Sequence, residues 1–323
     1  MKKVLVLYYS QTGQLLEIVR SILAEVEKDP ACSIVYEELK PENPYRFPWT
    51  AYRFCDVFPE SAAGISCNMQ PLAVDPDEHF DLVVLAYTVW YLSPAIPVWS
   101  FLQTPAAKKL IGNRPVLTVI GCRNMWLLAQ EKVKERLAAL GGTLTGNIVL
   151  TDRANNLVGV LTIAVWMLTG RKERFLRLFP RPGVSEEDIR GAGRFAPLLH
   201  RALTSEGGVL DQAQLNSYGA VRVDPALLLM EKRVSKVFTV WSAFIRQKGG
   251  PGDPGRRRRV RLFMLYLIAA VIVLAPLATL AAAVLKSINR DRLLAEIDYY
   301  SQNAFRTGKR RPDPPQAGLP ANR

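Results

Sequence analysis

Val4-Leu5-Val6-Leu7-Tyr8-Tyr9, followed at once by Ser10-Gln11-Thr12-Gly13-Gln14, is the stretch of this 323-residue chain from which the architecture is read. The first six residues are unbroken apolar and aromatic, as suits a strand covered on both faces of a parallel sheet. A short polar turn follows. From there Leu15, Ile18, Val19, Ile22, Leu23 and Val26 recur at spacings of three and four, the stripe of a helix lying on that sheet. Lys2 and Lys3 ahead of the apolar run mimic the start of an export signal, but the run ends too early for one, so it reads as a first β-strand.

Working outward, the same alternation predicts strands at 34–36, 82–86, 116–120 and 147–150 and a helix at 130–140. Residues 1–152 are thus expected to form a doubly wound α/β domain on a five-stranded parallel sheet. Between residues 41 and 78, Pro41, Pro44, Pro48, Pro59, Pro71 and Pro76 interrupt a run with several aromatics, which predicts a long irregular excursion placed to lid a site.

Residues 153–248 read as a helical extension, with helices at 186–203, 211–218 and 225–246. Within it, residues 157–168 are apolar on nearly every face but short of the roughly 20 residues a bilayer crossing takes. Trp166, Arg171, Lys172 and Arg174 sit at its end. Two readings stand: a helix lying in a membrane interface over 156–170, or one buried on the α/β domain. A basic linker, 249–261, carries a glycine- and proline-rich break and then Arg256, Arg257, Arg258, Arg259 and Arg261. Residues 262–285 contain no charge, which predicts a transmembrane helix with Pro276 near its middle. A basic, partly disordered tail, 286–323, closes the chain. The expected location is an inner (cytoplasmic) membrane with the α/β domain facing the cytoplasm.

Lys and Arg total 42 against 29 for Asp and Glu, a formal charge of +13. Much of that excess abuts the apolar run, which points to anionic membrane lipid as partner and away from nucleic acid. Cys32, Cys55, Cys67 and Cys122 show no metal-type spacing, and only His79 and His200 could join them, so neither a metal site nor a disulfide framework is expected.

In an open α/β sheet, ligands lie at the carboxyl ends of the strands, where loops follow Tyr9, Ala86 and Ile120. The first offers the hydroxyls of Ser10 and Thr12, Gly13, and a helix N-terminus suited to a phosphate; an ordinary capped turn would look alike. The second, Tyr87-Thr88-Val89-Trp90-Tyr91-Leu92-Ser93-Pro94, sets two large aromatics where a planar ring could stack, or where they merely cover the core. The third, Gly121-Cys122-Arg123-Asn124-Met125-Trp126, joins a glycine for close backbone approach to polar and aromatic groups. Cys122 reads either as a thiol activated by Arg123 or as a small buried core residue.

Tyr8-Tyr9-Ser10-Gln11-Thr12-Gly13 resembles the phosphate loop of flavodoxins and related FMN-dependent oxidoreductases, and Thr88-Val89-Trp90-Tyr91 with residues 97–102 resembles their ring-stacking loop. The resemblance covers about residues 1–150. It implies that Ser10, Gln11, Thr12, Gly13 and Gln14 hold the FMN phosphate while Thr88, Val89, Trp90, Tyr91, Gly121, Cys122, Arg123 and Asn124 flank the ring. One departure is Leu15, where the family carries a further hydroxyl. The whole chain, including residues 121–126 and Gly183-Val184-Ser185-Glu186-Glu187-Asp188-Ile189, also resembles bacterial proteins labelled dialkylresorcinol condensing enzymes. Thiolase-type condensation needs a nucleophilic Cys with His or Asn partners, and no such elbow is visible.

The leading expectation is a membrane-associated FMN-dependent oxidoreductase, with NAD(P)H as donor, serving a lipophilic acceptor in aromatic lipid or polyene biosynthesis. The alternatives are a non-catalytic membrane scaffold for biosynthetic enzyme partners, or an enzyme of dialkylresorcinol-type condensation.

Overall fold

Five strands pair in parallel in the computed structural model, which describes residues 1–154, 156–173, 179–274 and 290–305. They are β1 (Lys2–Tyr8), β2 (Cys32–Glu38), β3 (Leu82–Tyr87), β6 (Pro115–Cys122) and β7 (Thr143–Thr151), with a two-residue-per-strand hairpin, β4 (Val89–Trp90) and β5 (Ser93–Pro94), after β3. The sheet order is β2-β1-β3-β6-β7. Counting its five strands in sequence, that is 2-1-3-4-5, the flavodoxin-like winding, in which the order reverses between β1 and β3. Val4 lies between Ile34 of β2 and Leu82 of β3, which is why Val4, Leu5, Val6 and Leu7 are all fully buried.

Alternate residues of these strands serve two faces. On one, Val4, Val6, Val84 and Ala86 meet Leu15, Ile18, Val19 and Ile22 of α1 (Gln14–Ile22), which runs on through α2 (Ala24–Lys28). Phe195, Leu199 and Leu215, from the region of α8 (Glu186–Gly191), α9 (Ala196–Thr204) and α10 (Gln212–Ser217), complete the same cluster. On the other face Leu5, Leu7, Val83 and Leu85 pack with α4 (Ile96–Phe101), α5 (Pro105–Ile111) and α6 (Leu127–Leu140).

The proline-rich excursion is not irregular throughout. It contains α3 (Ala51–Ala63), started by Thr50, whose side chain accepts from the Arg53 N–H at 3.2 Å, and continuing through Pro59. Its Cys55 and Phe58 form a third cluster with Ile245 of α11 (Pro225–Arg246) and with Val260 and Phe263 of α12 (Arg257–Ala269). The rings of Phe58 and Phe263 stack at 3.9 Å.

The transmembrane helix expected over residues 262–285 is overturned: among the described residues no helix is long and apolar enough to cross a membrane. Residues 262–274 form the second half of α12 and a π-helical turn, Ala270–Leu274, and residues 275–285 lie outside the described residues. The reason is visible in α12, which begins in arginines and divides its apolar residues, Val260 and Phe263 facing α3 and Leu262, Leu265 and Ile268 facing outward. The inner-membrane location rested on that helix and falls with it. Arg256, read as part of a headgroup-facing run, is instead buried among α3 side chains.

Candidate functional site

The chain passes from β1 into α1 through Gly13, whose φ of 78° lies in the left-handed region. A Cβ there would meet nothing within 4 Å, so backbone conformation and not space calls for glycine. No side chain caps α1. The N–H groups of its first turn and the positive end of its dipole therefore face the loop.

Ser10, Gln11, Thr12 and Gln14 line one cavity, of about 190 Å³, with Thr88, Val89, Trp90, Tyr91, Gly121, Cys122 and Arg123. The three strand-end loops thus meet at the β1/β3 reversal, as that winding requires. Two expected residues stand apart: Gly13 contributes conformation and does not line the cavity, and Asn124 lines a neighbouring cavity of about 640 Å³.

Several side chains are engaged within the protein. Gln11 donates from Nε2 to the Tyr45 carbonyl at 2.9 Å, and its Oε1 accepts from Trp49 Nε1 at 3.3 Å. Gln14 donates to the Val184 carbonyl and accepts from the Val184 N–H, each at 3.0 Å, in the manner of a strand neighbour. Trp90 stands edge-to-face with Tyr9, Tyr45 and Trp49 at 5.8, 5.1 and 5.7 Å. Tyr91 and Leu92, at φ 49° and 63°, make the tight turn of the β4–β5 hairpin. The Tyr91 hydroxyl donates to the Phe54 carbonyl at 2.7 Å and its ring packs on Phe54 and Phe58, so this aromatic is anchored in the third cluster.

Gly121 lines the cavity and also lets α1 approach the sheet, since a Cβ on it would come within 2.9 Å of the Ile18 side chain and 3.1 Å of Leu15. The Cys122 thiol is buried and donates to the Asn124 carbonyl at 3.7 Å. Burial, reinforced by Glu231, pushes the thiol's pKa up, against a weaker pull from Arg123. It is the opposite of an activated nucleophile. Arg123 is itself lowered by burial, with Asp152 opposing.

The sequence reading missed a wall. Ile163, Trp166 and Met167 of α7 (Asn156–Thr169), Phe54 of α3 and Gly183 line the same cavity. Trp166 is only 7% exposed, while Leu161 and Leu168 on the same helix are 42% and 43% exposed. The all-round apolarity of residues 157–168 concealed this two-sidedness, since no polar stripe marks either face.

No protein-family model matches the chain. No curated protein matches it either. Among solved structures it is similar to a flavoprotein from Lactobacillus acidophilus NCFM in complex with FMN, at 20% identity over 46% of this chain and 93% of that one, with a TM-score of 0.37. It is also similar to proteins designated flavoproteins from Bacteroides eggerthii DSM 20697 (14% identity, 46% and 89% covered, TM-score 0.34) and Bacteroides uniformis ATCC 8492 (11% identity, 47% and 93% covered, TM-score 0.34).

Proposed function

We propose that the chain is a flavin-binding protein that holds FMN at the β1/β3 reversal and acts as an oxidoreductase on a small apolar molecule. The observation that carries this reading is the convergence of Ser10, Thr12, Trp90 and Gly121 on one cavity at the uncapped N-terminus of α1. The fit to a phosphate rests on that uncapped turn and the two hydroxyls beside it, a neutral cradle that needs no Lys or Arg. Ser10, Thr12 and the first-turn N–H groups of α1 would hold the phosphate. Trp90 and the 121–123 loop would flank the ring.

When bound, the flavin supplies the capacity to accept and pass on hydride or electrons. The chain's own contribution is orientation and exclusion of water: Tyr9, Trp49, Phe54, Trp90 and Trp166 give the site an aromatic and apolar surround, and the charged side chain lining it is Arg123. This apolar, aromatic lining suits a small apolar molecule as redox partner. NAD(P)H is the natural donor to try first, and a lipophilic compound such as a quinone the acceptor.

A second reading, a degenerate domain that binds no flavin, draws on the cavity's size, below the roughly 300–1,000 Å³ of ordinary ligand pockets, and on Leu15 at its wall. The condensing-enzyme reading has no support in the buried, unactivated Cys122. The absorption spectrum of the purified full-length protein, with titration of FMN into it, decides between the first two. Flavin absorbance or saturable binding, weakened at least tenfold by Thr12→Val or Trp90→Ala, is expected; no binding at millimolar FMN would leave the degenerate reading.

A further inference from the structure

Past the carboxyl ends of β6 and β7 lies a second cavity, the one lined by Asn124, which the flavin reading does not use. Its volume, about 640 Å³, falls within the range of ligand pockets. It shares no lining residue with the cleft at the β1/β3 reversal.

The lining carries charge of both signs, but the two signs are not equally engaged. Asp152 accepts the Ala154 and Gly183 N–H groups at 2.8 and 3.2 Å, and Asp224 accepts the Ala226 N–H at 2.8 Å. Asp188 pairs with Arg153. Arg194 donates to the Tyr218 and Gly191 carbonyls at 2.6 Å each, which leaves its charge without a carboxylate. Arg222 is exposed and has neither a hydrogen bond nor an ion pair among the described residues. The exposed side of the cavity therefore has positive charge to spare, which suits an anion.

The buried side asks for the opposite. Glu231 lines the same cavity and is fully buried. Its Oε1 accepts the Leu128 N–H at 2.6 Å, while its Oε2 has no partner among the described residues. A buried acceptor left unmet is costly, and an occupant that brings a donor removes the cost. An ammonium is the strongest such donor, because it meets the carboxylate with charge as well as a hydrogen bond. Leu127, Val149, Val223 and Leu227 add apolar wall for a hydrocarbon body.

We propose that this cavity is a second binding site, for a small amino-bearing carboxylate whose amino group donates to Glu231 Oε2 and whose carboxylate pairs with Arg222. The site goes beyond the flavin reading and does not depend on it.

The test is calorimetric titration of the full-length protein at pH 8, above the value of about 7 to which burial raises the Glu231 carboxyl. Three probes are compared: 4-(aminomethyl)benzoate, which carries both charges, 4-methylbenzoate, which lacks the amine, and 4-methylbenzylamine, which lacks the carboxylate. The first is expected to bind at least tenfold more tightly than either of the others. Glu231→Gln, which keeps an acceptor for α6 and removes the charge, is expected to cut the advantage over 4-methylbenzoate to within threefold and to leave the advantage over 4-methylbenzylamine. Arg222→Met is expected to do the reverse. Each comparison is between probes on one variant, so a general loss of stability cannot imitate the pattern. No saturable binding of 4-(aminomethyl)benzoate at millimolar concentration, equal affinity for all three probes, or either advantage surviving its own variant would overturn the site. Because FMN is absent from the titration, none of these results bears on the flavin reading.

Discussion

Glu231 shows what a single residue can impose on the site from behind. It projects from α11, is fully buried, and accepts the Leu128 N–H at 2.6 Å, with the Leu127 N–H bonded to it as well, so it caps α6 from another helix where Trp126 provides no side-chain cap. Its Oε2 has no partner among the described residues. Burial, only partly offset by the two N–H groups, raises its pKa from the ordinary 4.5 to about 7. The folded state therefore favours the protonated acid, and the unfolded chain releases that proton first as pH rises. The resulting stabilisation is complete below pH 4.5 and is lost progressively up to about pH 7, a change on the order of 3 kcal/mol. Glu231→Gln keeps an acceptor for the helix and removes the titration. Urea unfolding at pH 5 and pH 8 should show wild type losing stability relative to this variant across that interval, and parallel curves would refute the assignment. No sequence pattern announces Glu231: it sits in a helix read from its apolar stripe, and its burial follows from a long-range contact with the third strand-end loop.

At the scale of elements, the exposed side of β7 raises the question of where an edge strand's hydrogen bonds go. Gln212 answers it at Asn147, accepting its N–H at 2.7 Å and donating to its carbonyl at 3.1 Å, and the Ala220 carbonyl takes the Val149 N–H at 2.8 Å. Gln14 treats Val184 in the same way, so two glutamines substitute for missing strand neighbours. Gln212→Leu leaves a buried N–H and carbonyl unmet and should cost about 1–3 kcal/mol in urea unfolding, against within about 0.5 kcal/mol for exposed Gln214→Leu; equal effects would refute the edge-capping role. The strands and the main sheet helices were legible because a parallel sheet demands continuous apolar runs and its helices demand a three-four stripe, as in Val4 to Tyr9 and Leu15 to Val26. α3 was not, because Pro59 and its neighbours outweigh the signal of Thr50 as a cap. α7 was half legible: its apolarity was plain, and the face that lines the cleft was not.

The whole molecule is tied together where the sequence suggested a loose join. Read along the chain, 249–261 is a glycine-rich break and a basic run; in the fold, Arg256 donates from Nε to Asp56 Oδ1 at 2.8 Å and from Nη1 to Glu60 Oε1 at 2.7 Å, and Nη2 reaches the Asp56 carbonyl. Gly252 N–H adds a bond to Asp56 Oδ2 at 2.9 Å. The turn before α12 is thereby locked to α3, which also supplies Phe54 to the cleft and follows Trp49, so residues some 200 positions apart in sequence fix one wall of the site. Composition alone could not separate Arg256 from its neighbours, since burial depends on the two carboxylates that α3 brings to it. Arg256→Met leaves Asp56 and Glu60 side by side without their cation and should lower stability by about 3–5 kcal/mol. Arg258→Met, on the exposed side of the same run, should change it by no more than about 0.5 kcal/mol. Chemical denaturation of the two variants beside wild type distinguishes a structural tie from a merely basic surface: equal losses would mean that Arg256 is one charge among several, and a loss confined to Arg256, accompanied by faster reaction of the buried Cys55 thiol with N-ethylmaleimide, would mean that the C-terminal helices clamp α3 and, through it, the cleft.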